Sequence, residues 1–507
     1  MLKPKQVQKS FYAELYKMIP EKHILKKING IITFGFINTL LEKNYCKTFG
    51  RPAKEPEMML RIMLIQYLYN LSDEQVMLEI EVNLAYKWFI GLNPEDTLPH
   101  PSLLAKFRAM RLKEISLNDI ITEIVRQCVE QKIVRKENGI TIDTTHIEAN
   151  TIKKVPERVM KHLALKIFKR LKKTDYQIPD YKQIEDHMEA KQVMKAYLEN
   201  VIAEAGDQAP KEVAEAKAIL ESPLFIEQKG IRSVVDTDAR VGNKSKTQRF
   251  YGFKAEISQT TDEQIITGVN VADGTYVDGK EFENLYKATI ETGITPTEIY
   301  GDKAYFRADI LNFAKENGIE AYIPVSMSSY KIDEELYRYN KDSDQWFCVM
   351  GNATVKKRYS KVKRRGEEYE SYIYTYEKET CRNCTMRAEC MKTDKRIAKY
   401  LHVSKNVPIY YEYSQKQKSE EFLQKYKARA RSESKNAEMK RFHGLARARG
   451  YGLKAVFLQA VFTAIAVNLK RIAKLATSSL DVFDNFVQNL TLHFSFLKFA
   501  KIEIIIA

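Results

Sequence analysis

Apolar residues recur at helical spacing through the first part of the chain. The run PEMMLRIMLIQYLYN, residues 56–70, is apolar around much of its circumference, and Ser72 with Gln75 has the spacing of a capping box that opens the next helix. Pro101 suits the first turn of a third helix, because proline fits that position without loss of a hydrogen bond. These patterns predict an α-helical N-terminal domain over residues 1–115.

The third predicted helix is basic as well as amphipathic, since Lys106, Arg108 and Arg111 are interspersed with apolar residues. Several short helices ending in a basic one are typical of helix-turn-helix DNA-binding domains. These three cations are therefore candidate contacts to DNA. An ordinary helical bundle with a solvated basic face fits the same pattern.

The hydrophobic period changes to strict alternation at NGITIDTTHIEA, residues 138–149, which predicts a strand with Asp143 inside it. Aspartate is disfavoured within strands, so this residue is a candidate for a functional role. A later short strand, residues 297–301, delivers Asp302 at its carboxyl end. Two further strands are predicted, at residues 250–258 and 264–271.

Strands and helices alternate through this part of the chain, which predicts an α/β fold with a mixed sheet flanked by helices. The core is expected to comprise residues 136–325 and 415–475. A charged helical segment at residues 155–225 is expected to be an insertion into it. In open α/β sheets functional groups gather at the carboxyl ends of the strands, which is where Asp302 lies.

Residues 326–405 break the alternation with a β-rich, aromatic insertion that contains four cysteines. The spacing C-x2-C-x5-C, with one more cysteine upstream, is compatible with a four-thiolate structural Zn2+ site. Reduced cysteines without a metal fit the spacing equally well. The four residues are Cys348, Cys381, Cys384 and Cys390.

The segment YKARARSESKNAEMK predicts a further helix with an unusual polar face. At about 100° per residue, Tyr426, Arg429 and Lys440 fall within about 40° of Glu433 around the axis. Glu438 lies about 140° from Glu433 and so faces elsewhere. A carboxylate beside cations on one face is suited to binding a metal ion or a phosphate.

Asp143, Asp302 and Glu433 are thus three candidate ligands from distant parts of the sequence. Hard divalent cations prefer oxygen ligands, and phosphodiester cleavage uses them to activate the attacking hydroxyl and stabilise the departing oxygen. Each residue also has a structural interpretation: a strand-end aspartate, a helix cap and a solvated glutamate. The rival carboxylates are Asp236, Asp238, Glu148 and Glu438.

The charge balance favours a polyanionic partner. Lys and Arg number 82 against 66 Asp and Glu, a net charge of +16, which favours nucleic acid over a membrane surface. The N-terminus lacks the apolar segment of a signal peptide. The longest apolar run, residues 455–469, contains Gln459 and Asn468 and suits a core helix better than a membrane span. We expect a cytoplasmic protein, with residues 476–507 as a C-terminal tail.

The spacing Y-x2-R-x3-E-x6-K formed by Tyr426, Arg429, Glu433 and Lys440 resembles the signature of DDE transposases of bacterial insertion sequences, whose catalytic core is ribonuclease H-like. The stretches ITIDTTHIEA and IYGDKAYF resemble the first and second carboxylate motifs of that family. The resemblance covers most of residues 20–475.

The resemblance implies that the three carboxylates hold Mg2+ (or Mn2+), and that Tyr426, Arg429 and Lys440 contact phosphates near the cut. It implies an enzyme that binds the terminal inverted repeats of its element, cleaves at the element ends and joins the 3′ ends to target DNA. The implied partners are double-stranded DNA and a second copy of the chain in a synaptic complex, associated with the nucleoid. Relatives stack a flipped base on an aromatic residue of the β-rich insertion, so Trp346 is a candidate for that role as well as for the core.

Two alternatives remain open: a DNA-binding relative that has lost cutting, and a structure-specific nuclease of the same fold.

Overall fold

The computed structural model describes residues 10–46, 53–151, 155–221, 233, 235–245, 247–364, 367–391 and 397–503. The helices of the first half are α1 (Ile24–Ile31), α2 (Phe36–Leu41), α3 (Pro56–Leu68), α4 (Asp73–Val82), α5 (Leu84–Ile90), α6 (Ser102–Lys106), α7 (Asn118–Glu130), α8 (Pro156–Leu171), α9 (His187–Ala205) and α10 (Pro210–Leu220). Those of the second half are α11 (Phe282–Glu291), α12 (Ala308–Glu316), α13 (Lys378–Arg382), α14 (Arg387–Cys390), α15 (Val407–Gln417), α16 (Glu420–Tyr426), α17 (Ala430–Phe442) and α18 (Gly452–Glu503).

The strands are β1 (Glu137–Glu148), β2 (Arg240–Asn243), β3 (Arg249–Thr260), β4 (Ile266–Asp273), β5 (Thr295–Tyr300), β6 (Glu320–Tyr322), β7 (Tyr337–Asn340), β8 (Gln345–Cys348), β9 (Thr354–Arg364), β10 (Glu367–Tyr376) and β11 (Tyr400–Ser404). The chain divides into two compact units. The larger unit comprises Met1–Lys136, Thr144–Ile294 and Glu433–Ala507, and the smaller unit comprises Glu137–Asp143 and Thr295–Ser432.

The core of the larger unit is built around α18, which packs against α1, α3, α7 and β4. The two polar residues of its apolar run are buried and fully used. Asn468 accepts from the backbone N–H of Ile266 (2.8 Å) and donates to its carbonyl (2.7 Å). Gln459 accepts from the N–H of Arg449 and donates to two backbone carbonyls. These bonds fix the helix in a protein core, because a buried amide without partners is costly.

Part of α18, Gly452–Thr477, is long and apolar enough to cross a membrane, and so is the bent pair Ile24–Ile31 with Phe36–Asn44 taken together. Two thirds of the most apolar window of Gly452–Thr477 is buried inside the protein. That burial is typical of a core helix, as the sequence predicts for residues 455–469.

Several other elements of the larger unit follow the predicted pattern. The capping box is present, with Ser72 and Gln75 bonded reciprocally at 3.0 and 3.2 Å. Strands β2, β3 and β4 pair antiparallel. A Cβ at Gly252 of β3 would lie 2.0 Å from the carbonyl oxygen of Ile147, so only glycine allows this approach of the two backbones. The predicted helical insertion forms α8, α9 and α10 around a small apolar core of their own; residues 222–225 lie outside the described ranges.

The smaller unit contains a parallel sheet portion and a β-rich portion. The first half of β1 pairs parallel with β5, and β5 pairs parallel with β6. The β-rich portion consists of the antiparallel sheet β11-β10-β9 and the hairpin β7-β8. Parallel and antiparallel strands together with flanking helices make the fold a mixed α/β one, as predicted.

Three predicted helices differ from the structure. The helix expected from Pro101 is α6 followed by a π-helical segment, Phe107–Arg111, and a 3-10 turn, Leu112–Glu114. The helix expected over residues 426–440 is interrupted by a 3-10 turn, Lys427–Arg429, between α16 and α17. Helix α18 continues to Glu503, beyond the end that the pattern indicates. A helical pattern read from the sequence assumes a constant 100° per residue. The 3-10 and π turns in the first two cases break that assumption.

Candidate active site

Two aspartates of the smaller unit lie just beyond the last paired residues of two neighbouring parallel strands. Thr141 of β1 lies opposite Tyr300 of β5, and Asp143 and Asp302 each follow that pair by two residues. Residues two apart in an extended chain point to the same side. The register therefore places both aspartates on the same side near the carboxyl end of β5; both are partly buried, and the charges of both act on Tyr426.

Asp302 also caps the 3-10 turn Lys303–Tyr305, because its Oδ1 accepts from the N–H of Ala304 at 2.8 Å. The preceding residue is glycine for a steric reason, since a Cβ at Gly301 would lie 2.9 Å from that of Tyr305. Asp302 thus caps this short turn and not the following helix α12, whose N-cap is Arg307. A carboxylate with one oxygen in a cap retains lone pairs for another ligand, so capping and metal binding are compatible.

Arg429 stands beside the first aspartate. Its Nη2 lies 3.7 Å from Oδ1 of Asp143, and the two side chains are only 18% and 16% exposed. At that distance the contact is an ion pair rather than a close hydrogen bond. A guanidinium this close reduces the repulsion between Asp143 and its acidic neighbour.

Tyr426, the last residue of α16, lies close to the two aspartates. Its ring stacks on Phe422 at 5.7 Å, Phe422 contacts Tyr322, and Tyr322 stacks on Tyr300 of β5 at 5.2 Å. Burial raises the pKa of Tyr426; Arg429 lowers it and the charges of Asp302 and Asp143 raise it further. The phenol therefore remains a protonated donor at neutral pH, and both aspartates are close enough to act on it.

Glu433 and its rival Glu438 lie on α17 in the larger unit with different surroundings. Glu433 is exposed in the first turn. Glu438 forms ion pairs with Lys435 (3.2 Å) and Lys470 (3.0 Å). Burial alone would raise the pKa of Glu438, but the two ammonium groups outweigh it and lower the pKa. Glu438 is thus held in a structural network.

Lys440 contacts a residue that the sequence analysis did not single out. Its Nζ donates to Nδ1 of His146 at 3.1 Å, and the imidazole packs on the ring of Phe250 at 5.2 Å. Burial, followed by the charges of Lys440 and Lys244, lowers the pKa of His146 to about 4. His146 is therefore neutral near pH 7, and its Nδ1 accepts a hydrogen bond from the ammonium group of Lys440. The signal available in the sequence was a histidine three residues after Asp143 in the predicted strand.

The other rival carboxylates either accept hydrogen bonds from backbone N–H groups or are exposed to solvent. Asp236 accepts from the N–H of Gly452 (3.2 Å) and Asp238 from that of Leu453 (2.9 Å), so both cap α18. The side chain of Glu148 is exposed, while its backbone N–H and carbonyl bond to Ala446 and Ala448.

Within the described ranges, no three His, Cys, Asp or Glu side chains are placed so that they could hold one metal ion. The convergence of Asp143, Asp302 and Glu433 on a metal therefore stays a prediction. The carboxylate oxygens of the two aspartates are nevertheless the hard donors that Mg2+ or Mn2+ prefers.

The four cysteines of the smaller unit are free thiols that line one cavity of about 30 Å³. Sγ of Cys390 lies 3.1 Å from the hydroxyl of Tyr337. Burial raises the pKa of Cys381, and its cysteine neighbours raise it further. The cluster brings together Cys348, Cys381, Cys384 and Cys390 without arranging them as ligands, so zinc binding also stays a prediction.

Two of the three predicted DNA-binding cations of the N-terminal helices are engaged within the protein. Arg108 forms a bidentate pair with Asp73, with one bond of 3.0 Å. Arg111 donates to the carbonyl of Asn44 and lies over the ring of Tyr45 at 4.3 Å. Lys106 is exposed. Trp346, the candidate for base stacking, is fully buried against Tyr339 and Tyr411 and so serves the core.

Two family profiles match this chain. The family described as Transposase domain (DUF772) matches residues 13–110, and the family described as Transposase DDE domain matches residues 347–473. The first match covers the predicted N-terminal domain, and the second includes Tyr426, Arg429, Glu433 and Lys440.

Among solved structures, the chain is similar to the cryo-EM structure of the piggyBac transposase synaptic complex with hairpin DNA. The identity is 10%, the alignment covers 94% of this chain and 78% of the other, and the TM-score is 0.30. So low a TM-score supports no argument about this chain. No curated protein matches the sequence.

Proposed function

This chain belongs to the DDE transposases of insertion sequences, and we propose that it binds the terminal inverted repeats of its own element, cleaves the DNA there and joins the 3′ ends to target DNA. The observation that carries the proposal is the β1–β5 register, which places Asp143 and Asp302 two residues beyond the same strand pair, with both charges acting on Tyr426. Adjacent aspartates at the carboxyl end of parallel strands also support a ribonuclease H-like core.

The proposed metal ligands are Asp143, Asp302 and Glu433, with Mg2+ (or Mn2+) as the cofactor. When bound, the metal supplies activation of the attacking hydroxyl and stabilisation of the departing oxygen. Two carboxylates about 4 Å apart repel by about 4 kcal/mol at an effective dielectric of 20, so the pair needs a neighbouring positive charge. The assignment of Glu433 rests on the sequence spacing and on the structural use of Glu438.

The cationic and phenolic residues would position the phosphate. Arg429 can turn from Asp143 to a phosphate once the carboxylate has another counter-ion, and a guanidinium suits bidentate phosphate binding. Tyr426 supplies a protonated hydroxyl, and Lys440, which donates to the neutral imidazole of His146, is proposed to contact a phosphate of the DNA.

The reaction balances without an external energy source. In cleavage, a water oxygen attacks phosphorus and the 3′ oxygen leaves with a proton as a hydroxyl. In joining, that 3′ hydroxyl attacks a phosphorus of the target and the 3′ oxygen of the target strand leaves. One phosphodiester bond forms for each that breaks in the joining step.

A structural Zn2+ at Cys348, Cys381, Cys384 and Cys390 is part of the proposal. Four thiols around one small cavity match the donor set of structural zinc sites. Metal analysis of the purified protein tests it: we expect about one zinc per chain and a lower thermal midpoint after chelation. Zinc-free protein with an unchanged midpoint in chelator would contradict it.

The assembly is proposed to be a homodimer that holds two element ends in a synaptic complex, acting in the cytoplasm on nucleoid DNA. The net charge of +16 supports the choice of DNA as partner.

The central test uses labelled repeat-end DNA with Mg2+ and compares Asp143→Asn and Asp302→Asn with Glu148→Gln, an exposed acid on the same strand. We expect both aspartate variants to lose cleavage by about a thousandfold, a typical effect of removing a group that stabilises the transition state, while Glu148→Gln cleaves normally. Cleavage by either aspartate variant at the normal rate would exclude the assigned site.

The same assay separates the alternatives. A wild-type protein that binds the ends but never cuts them would be a DNA-binding relative without activity. One that cuts branched or flapped DNA and joins no ends would be a structure-specific nuclease.

A further inference from the structure

The two faces of the sheet β11-β10-β9 in the smaller unit differ in charge. Strand β9 lies at the edge of this sheet, and its residues from Val355 to Lys363 are exposed except for Ser360, which is partly buried. Residues directly opposite each other in antiparallel strands share a face. The pairing registers therefore assign each side chain of β9 to one face or the other.

One face is neutralised by acids. Lys357 pairs with Asp344 at 2.6 Å, and Lys361 pairs with Glu368 at 2.6 Å. Lys363 lies 3.9 Å from the same glutamate. The cations on this face already have counter-charges, so binding a phosphate would require these pairs to break.

On the other face, the stretch from Lys356 to Ser360 has no acid opposite it, and Glu367, opposite Arg364, is the first acid further along the pairing. Lys356 lies opposite Thr375, Arg358 opposite Ile373, and Ser360 opposite Ser371. The same three β10 residues lie opposite β11 residues in the next pairing, which are Tyr400, His402 and Ser404. These nine positions contain no carboxylate, and in the described part of the chain neither Lys356 nor Arg358 pairs with an acid.

The composition of this face suits a sugar-phosphate backbone. Two exposed cations supply charge, and five hydroxyl-bearing residues share the face with them across the three strands: Ser360, Ser371, Thr375, Tyr400 and Ser404. Contacts to phosphates come chiefly from Arg, Lys and hydroxyl side chains, and they carry no sequence information directly. A surface of this kind suits DNA whose sequence varies from one event to the next.

We propose that the face of β9, β10 and β11 marked by Lys356 and Arg358 binds the backbone of target DNA. The proposal rests on the proposed function, because only a strand-transferring enzyme has a target. It assigns this face to target DNA and leaves recognition of the element ends to other parts of the chain.

The test compares two double variants of the full-length protein that lose the same charge from the same strand. Lys356→Gln/Arg358→Gln alters the face on which the cations form no ion pair with an acid. The control Lys361→Gln/Lys363→Gln alters the face on which the cations pair with acids. Both sets are exposed, so both variants should keep the thermal midpoint of the wild type, which is measured first.

The first readout is binding to a duplex of unrelated sequence at several salt concentrations. Each lost phosphate contact lowers the slope of log K against log salt by about 1. We expect the slope to fall by about 2 and the affinity to fall about tenfold in the first variant, with a much smaller change in the control. Equal losses in both variants would mean a bulk charge effect and would overturn the proposal, as would no loss in either.

The second readout separates end cleavage from joining. The first variant should cleave repeat-end DNA at the wild-type rate and join it to unrelated target about tenfold more slowly. A parallel loss of cleavage would assign the face to element ends, and a greater loss of binding to RNA than to DNA would assign it to RNA; either result overturns the proposal. If the wild type cuts no ends, the proposed function fails, while the first readout still tests whether this face binds duplex DNA.

Discussion

Acidic side chains in the two units have different counter-charges. In the smaller unit, Asp143 has a guanidinium at 3.7 Å and lies near the same strand end as Asp302. In the larger unit, Glu438 has two ammonium groups at 3.0 and 3.2 Å. Glu438 is thus neutralised by two close cations within the fold, whereas Asp143 has one cation at a longer distance. We therefore predict the role of each acid, metal binding or stabilisation of the fold, from the charges around it as well as from its place in a motif.

The largest expected effect separates Glu433 from Glu438 in catalysis. Glu433→Gln should reduce cleavage of repeat-end DNA about a thousandfold, because it removes a proposed metal ligand. Glu438→Gln should retain most of the cleavage when assayed well below its thermal midpoint. The reverse result would assign the role of third metal ligand to Glu438 and contradict its assignment as a structural residue.

The next effect concerns stability. Glu438→Gln leaves the buried Lys435 with a weaker partner, and removing one member of a buried ion pair typically costs 3–5 kcal/mol. Because Glu438 is partly exposed, we expect a loss of about 2 kcal/mol in the free energy of unfolding at pH 7, measured by urea titration. Glu433→Gln, at an exposed position, serves as control and should change it by less than about 0.5 kcal/mol.

The low pKa of Glu438 also predicts how the loss of stability in Glu438→Gln depends on pH. Its folded pKa lies below that of the unfolded chain, so its stabilising contribution is present above the ordinary glutamate pKa and disappears as the pH falls through the folded value. The difference between wild type and Glu438→Gln should therefore shrink below about pH 4. A difference that stays constant down to pH 3 would contradict the role of the ion pairs.

A smaller effect is expected at Arg429. Arg429→Ala should lower cleavage about tenfold, since it removes a cation proposed to position the phosphate. Lys427→Ala is the matched control, because this exposed lysine lies two residues earlier and bonds only to Gln424 among the described residues. Equal losses in the two variants would indicate general charge attraction.

The smallest effect concerns His146. Its folded pKa of about 4 lies below the ordinary value of 6.5, so the unfolded chain takes up a proton between those values and the fold loses stability as the pH falls from 6.5 to 4. In His146→Asn the free energy of unfolding should fall by about 1 kcal/mol less over this pH range than in the wild type. The figure is small because the ring is partly exposed and solvent screens its charge. The unfolding free energies of the two proteins should run parallel above pH 6.5, and parallel curves down to pH 4 would exclude the effect.

Local patterns predicted several elements well. The alternation around Asp143 predicted β1, and the spacing of Ser72 and Gln75 predicted the capping box, because both depend on neighbours in sequence. The helix of residues 426–440 was predicted less well, since a tighter turn at Lys427–Arg429 follows from packing. The engagement of Arg108 with Asp73 was also out of reach, because 35 residues separate them.

The sequence by itself determined the candidate carboxylates, the basic character and the alternation of strands and helices, since these follow from residue type and local period. Only the tertiary structure decided that Asp143 lies beside Asp302, that Glu438 belongs to an ion-pair network, and that His146 holds Lys440. The reason is physical: strand register and side-chain packing join residues from about 30 to about 300 positions apart, as with Glu438 and Lys470 or His146 and Lys440, and local period carries no information about such contacts.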